Sequence, residues 1–126
     1  GARHYDMTQL QPYQIYNELY NSKKVLEEKI GGEVDFFAYP SGTDKELSQE
    51  AILIAGKIYD FNFIFLPGKN QFVNANRYLI RRTGVSPHYS VNHLKALISG
   101  TKDFLYSRRL RRLEHFLDTA IATWER

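Results

Sequence analysis

Val34-Asp35-Phe36-Phe37-Ala38-Tyr39-Pro40-Ser41-Gly42 decides the architecture. Residues 34–39 are an apolar run rich in β-formers, closed by Pro40 and Gly42. Such a run reads as a short buried strand whose carboxyl end opens directly into a loop. Upstream, the spacing predicts a helix over residues 11–30. Pro12 suits its first turn, Gly31-Gly32 ends it, and Ile15, Leu19, Val25, Leu26 and Ile30 fall on one face, shared with Ser22. Downstream, Thr43 with Glu46 forms the pattern of a capping box. It predicts a helix over residues 44–59 with Leu47, Ala51, Ile54, Ala55 and Ile58 facing inward.

Residues 61–66 are a second strand by length and composition, Pro67 to Asn70 a turn, and residues 76–83 a shorter third strand. Ser90 starts another helix with Val91, Leu94, Leu97 and Ile98 on one face, stopped by Gly100. A long last helix covers residues 102–124. Strands separated by helices imply parallel pairing through right-handed crossovers. Two or three strands can neither close a barrel nor cover both faces of a sheet. The chain therefore reads as one domain, residues 1–126, that is part of a larger α/β unit.

Bulk properties narrow the classes. The chain has 126 residues, 43% hydrophobic and 25% charged, which suits one folded domain and excludes a disordered chain. A net charge of +3 is too weak a bias to argue for nucleic acid. Without Cys, disulfides and thiolate metal sites are excluded. No apolar run has the length of a membrane span, and Gly1-Ala2-Arg3-His4 is not a signal peptide.

Four segments, in order, resemble the polysaccharide deacetylase (NodB-homology) family. His4-Tyr5-Asp6-Met7-Thr8-Gln9-Leu10 looks like the stretch that follows the family's H-x-x-x-H metal motif, and Ser22-Lys23-Lys24-Val25-Leu26-Glu27 like the S-K-x-x-L-E helix after it. Phe36 to Gly42 is similar to the F-A-Y-P-x-G strand end, the most specific of the four. Gly68, Lys69 and Asn70 take the place of a later strand and loop. Tyr78-Leu79-Ile80-Arg81-Arg82-Thr83-Gly84-Val85 looks like the L-P-R-I-x-V strand, and residues 90–100 like the short helix that follows it in some members.

The resemblance implies a fold, the C-terminal part of a distorted (β/α) barrel with parallel strands and crossover helices. It also implies an activity, metal-dependent hydrolysis of N-acetyl or O-acetyl groups on a sugar polymer outside the cytoplasm. His4 would be a ligand to a divalent metal, zinc by the family pattern. The Ser41 amide would stabilise the oxyanion, Tyr39 and Pro40 would bind substrate, and Arg82 would orient the catalytic base. Taken alone, Pro-Ser-Gly is an ordinary strand stop, His4 a terminal residue, and Arg81-Arg82 a basic pair of which alternation turns one side chain inward.

The family's adjacent Asp pair, the partner of His4 and the late leucine-histidine motif have no counterparts among these residues. The expectation is thus a domain lacking its N-terminal strands and inactive by itself, its open edges covered by another copy or by an N-terminal fragment. The alternative is a non-catalytic deacetylase-like domain that binds glycan or a partner chain. Asp44 suits a first helical turn; Asp35, His88 and His93 carry no role beyond local structure. Arg108, Arg109, Arg111 and Arg112 read as a solvated helix face, with Glu114 and Asp118 within i,i+4 reach of basic residues. A nucleic-acid module built on that helix is disfavoured, because the aromatics gather around the strands.

Overall fold

The computed structural model describes residue 3 and residues 5–43, 45–70 and 76–124, with side chains to residue 122. Helix α1 (Pro12–Ile30) is followed by strand β1 (Phe36–Ala38), helix α2 (Gln49–Ile58), strand β2 (Phe61–Ile64), strand β3 (Ile80–Arg81), helix α3 (Val91–Ser99) and helix α4 (Ser107–Trp124). The strands form one sheet in the order β1-β2-β3, and both pairings are parallel; the helix between β1 and β2 implied this for the first pair, whereas no helix separates β2 from β3 among the described residues.

Helix α1 starts and stops where its signals stand. Gln11 caps it, its backbone N–H donating to Gln14 Oε1 at 2.9 Å. Gly31 ends it in the left-handed conformation, φ +68°. Ile15 and Leu19 are fully buried, but Val25, Leu26 and Ile30 are exposed. The packed face of the second half is polar instead. Lys23 Nζ donates to the Ile58 carbonyl at 3.1 Å, and Glu27 accepts from the Val34 N–H at 3.2 Å and lies 3.6 Å from Lys23. A helix end leaves carbonyls without intrahelical partners, and Lys23 satisfies one at the end of α2.

Helix α2 begins later than the capping pattern suggested. Thr43 and Glu46 do bond, Oγ1 to Oε2 at 2.7 Å, but they close a single turn. Ser48 is the true cap, its Oγ accepting from the Ala51 N–H at 3.1 Å. Leu47 and Ile52, both buried, stand at the two positions of a hydrophobic staple around it. Asp44 lies outside the described residues. From Ala51 to Gly56 every residue is buried, because α2 is held between α1, α4 and the sheet. A helix apolar all round is an interior helix.

The sheet has two unlike faces. Phe37, Tyr39, Asn62, Ile64 and Leu66 are buried on the helix side. On the other side Phe36 stacks on Phe61 at 5.2 Å, and Phe36, Phe61 and Phe65 are 62%, 41% and 40% exposed. Strand β3 is two residues long, shorter than the sequence suggested. On the side away from β2, the Asn70 side chain stands in for a neighbouring strand. The Arg81 N–H donates to Asn70 Oδ1, and Asn70 Nδ2 donates to the Arg81 carbonyl, both at 2.8 Å.

Helix α3 is capped by Ser90, as expected, but buries no residue: Leu94 and Leu97 are half-buried, and Val91 and Ile98 are exposed. A 3-10 turn, Asp103–Leu105, precedes α4, which packs Leu113, Leu117 and Ala120 into the core.

Candidate functional site

The three strand ends meet at one edge. Ala38 pairs with Phe63, and Phe63 with Ile80. Two residues further along each strand, Pro40, Phe65 and Arg82 therefore stand level, past the carboxyl ends of β1, β2 and β3. Loops at the carboxyl ends of parallel strands are where α/β folds place their ligands.

The segment Tyr39 to Gly42 turns sharply there. The Gly42 N–H donates to the Pro40 carbonyl at 2.5 Å, closing a three-residue turn on Ser41. Ser41 has φ +54°, alone among described non-glycine residues in taking a positive φ. That conformation crowds Cβ against the carbonyl and costs about 1–2 kcal/mol, so surrounding contacts must hold it. Two do so. The Phe65 N–H donates to the Gly42 carbonyl at 2.7 Å. Arg82 Nη2 donates to the Tyr39 carbonyl at 2.9 Å, and its guanidinium carbon lies 5.9 Å from the centre of the Phe65 ring. Gly42 (φ +67°) is required by the fit: a Cβ there would stand 3.0 Å from the Phe65 nitrogen and 3.1 Å from the Tyr39 oxygen.

The corner turns one donor outward. Among the described residues nothing accepts the Ser41 N–H, and Ser41 is exposed. Arg82 is half-buried, pairs with no carboxylate among the described residues, and keeps a buried Nε without an acceptor. The site thus carries an open N–H and a guanidinium with donors to spare, suited to an anion or to a carbonyl oxygen gaining charge.

Each expected site residue except His4 has a definite place. Ser41 and Arg82 come together around the Tyr39 carbonyl. Tyr39 brings that carbonyl, while its side chain points the other way, 1% exposed and edge-on to Phe37 at 5.0 Å. The Tyr39 hydroxyl has no hydrogen-bond partner among the described residues, and burial, with Tyr78 adding, pushes its pKa far up. Pro40 is half-buried at the turn. His4, the expected metal ligand, lies outside the described residues. Arg81 is used elsewhere, its Nη2 donating to the Lys69 carbonyl. His88 is exposed, and His93 stacks on Tyr89 at 4.1 Å.

The described residues do not by themselves compose a metal centre. No three His, Asp or Glu side chains are grouped among them, and Arg82 brings a cation to the corner. Phe65 and Gly42 are the site residues whose roles the sequence reading missed. The strand-end glycine was a usable signal for one. The role of Phe65 depends on register, which one sequence does not display.

Comparison with known proteins agrees with this geometry. The sequence profile of the polysaccharide deacetylase family matches residues 1–57. No curated protein sequence matches. A Streptococcus pyogenes deacetylase solved in complex with acetate is similar over 75% of this chain, with a TM-score of 0.64 at 23% identity. A polysaccharide deacetylase of Bacillus cereus is similar over 77%, with a TM-score of 0.62 at 23% identity. The chain spans 40% and 30% of the length of these two structures. Residues 1–57 are thus similar in sequence to the polysaccharide deacetylase family, and the backbone has the fold of part of these deacetylase structures.

Proposed function

We propose that this chain supplies the oxyanion-binding corner of a hydrolase that removes acetyl groups from an N- or O-acetylated sugar polymer outside the cytoplasm. One observation carries the reading. A Ser41 N–H with no acceptor among the described residues is held, in an otherwise unfavourable backbone conformation, beside a guanidinium at the carboxyl edge of three parallel strands.

The chemistry follows from charge. Water adds to the acetyl carbonyl, and the oxygen becomes an alkoxide in the tetrahedral intermediate. A donor already aimed at that oxygen stabilises the intermediate without reorganising, and removing one such donor costs about a hundred- to a thousandfold in rate. The Ser41 amide fills that role, so the serine hydroxyl is dispensable. Arg82 holds the turn through the Tyr39 carbonyl and directs its remaining donors toward the acid–base group. A divalent metal, zinc by the resemblance, is part of this proposal, with His4 as a ligand beside groups that are not among the described residues. Such an ion polarises a carbonyl and lowers the pKa of bound water.

Acetate release from an N-acetylated chitooligosaccharide by this chain joined to the N-terminal part of a deacetylase domain, with divalent metals added in turn, tests the reading. The expected result is metal-dependent release, kept within a few-fold by Ser41→Ala and cut by roughly a hundredfold or more in Arg82→Ala. Binding of the oligosaccharide with no release under any metal would overturn hydrolysis in favour of a glycan-binding role.

A further inference from the structure

The start of α4 is charged in a way the deacetylase reading does not use. Arg108, Arg109, Arg111 and Arg112 are all exposed. No carboxylate lies within ion-pair distance of Arg108, Arg111 or Arg112 among the described residues, so the expected pairing with Glu114 and Asp118 is not made by these three. At 3.6 residues per turn, these three share the helix face opposite Leu113 and Leu117, which are buried in the core. The acidic residue just ahead of them, Asp103, is turned inward, its Oδ2 accepting from the Lys69 N–H at 2.9 Å.

Beside this cationic stripe two large apolar side chains stand in solvent, Phe104 at 71% exposure and Leu105 at 57%. They sit in the turn that leads into α4, one helical turn before Arg108 and Arg109. The positive end of the helix dipole points the same way. Soluble surfaces seldom join a bare aromatic–aliphatic pair to an uncompensated run of arginines. A bilayer with anionic headgroups matches both parts: arginines take the phosphates, and the apolar pair enters the acyl boundary.

We propose that Phe104, Leu105 and the Arg108–Arg111–Arg112 face dock this chain onto an anionic phospholipid surface. Charge complementarity and the wedge favour a bilayer over a soluble polyanion, which would have no use for Phe104 and Leu105. Docking does not depend on the deacetylase reading, and its test does not read activity.

Co-sedimentation of the 126-residue chain with phosphatidylcholine vesicles, with and without phosphatidylserine, tests this. Binding is expected only with phosphatidylserine, weakening as salt rises. Each arginine removed should cost roughly fivefold, so Arg108→Gln/Arg111→Gln/Arg112→Gln should lose about a hundredfold. Phe104→Ser/Leu105→Ser should weaken binding with its salt dependence unchanged. All substituted positions are exposed, and far-ultraviolet dichroism verifies folding; a variant that fails there is replaced by the single Arg111→Gln, for which the fivefold loss is expected. Equal binding to neutral vesicles, or full binding by the arginine variants, overturns the proposal. So does a Phe104→Ser/Leu105→Ser chain that binds vesicles undiminished while duplex DNA competes, which would mark a polyanion site.

Discussion

Arg82 Nη2 donates to the Tyr39 carbonyl at 2.9 Å, linking residues 43 positions apart in sequence across the carboxyl ends of the three strands. Tyr39 carries no N–H to spare for the turn, and Pro40 has none, so the corner has few other ways to be held. A hydrogen bond from a charged donor contributes about 1.5–3 kcal/mol. Arg82→Ala should therefore lower unfolding free energy by roughly 2 kcal/mol in urea titration. Arg82→Lys should recover only part of it, because an ammonium lacks the planar fork. Backbone amide exchange adds a local reading: the Gly42 and Phe65 amides should exchange faster in Arg82→Ala, whereas those in the middle of α2 should not.

Ser41 and Gly42 should respond in opposite directions. Ser41→Gly removes the cost of a positive φ and is expected to raise stability by up to about 1 kcal/mol. Gly42→Ala places a Cβ against the Phe65 nitrogen and the Tyr39 oxygen at φ +67°, and should cost about 1–3 kcal/mol. Thermal melting of the two variants beside the parent decides it. Two melts displaced the same way would show that the turn is not the strained element described above.

How legible this was depends on the range of the interaction. Short-range signals were plain: Pro12 and Gly31 bound α1, Ser90 and Gly100 bound α3, and the breaks at Pro40 and Gly42 locate the strand end. Where two local signals competed, the sequence misled. Thr43–Glu46 forms its bonds, yet α2 waits for Ser48, because the apolar run that makes a helix worth burying starts at Ala51. The second half of α1 misled for another reason. Its packing partner is the polar end of α2, so Lys23 and Glu27 do what apolar residues were expected to do. At the corner, family resemblance singled out Ser41 and Arg82 as candidates, but the level placing of Pro40, Phe65 and Arg82 is a fact of strand register. No single segment encodes it.

Tyr39 should matter for stability at high pH. Its hydroxyl is buried without a partner among the described residues, and burial raises its pKa above the ordinary 10.0. In the unfolded chain the phenol ionises near its ordinary value, while in the folded chain it stays protonated. Above pH ~10 the unfolded state then binds fewer protons, and stability falls as pH rises. The contribution is complete below the unfolded pKa and is lost progressively above it. Tyr39→Phe should remove this alkaline loss while Tyr59, also raised by burial, keeps its own smaller share. At neutral pH the same variant should be as stable as the parent, or more so by about 1 kcal/mol, since an unpaired buried hydroxyl is a net cost. Urea midpoints measured from pH 7 to 11 test both halves. A Tyr39→Phe chain destabilised by several kcal/mol at pH 7 would show that the hydroxyl has a partner after all.

The open side of the sheet makes the last prediction. Phe36, Phe61 and Phe65 share a face that no helix covers among the described elements, and Arg82 rises at its carboxyl end. Exposed aromatic area of this kind is attractive at roughly 25 cal/mol per Å², and contiguous apolar patches on soluble domains usually mark contacts. The 126-residue chain is therefore expected to self-associate through this face as its concentration rises. Phe36→Ser/Phe61→Ser should return it to a monomer while leaving the helix-side core untouched, because Phe37 and Asn62 point the other way. Sedimentation velocity across a dilution series reads the outcome. A chain that stays monomeric at every concentration and melts in one cooperative step would mean that the aromatic face is tolerated in water. The corner beside it would then have to hold its shape without a cover, and amide exchange at Gly42 would be fast in the parent as well as in Arg82→Ala.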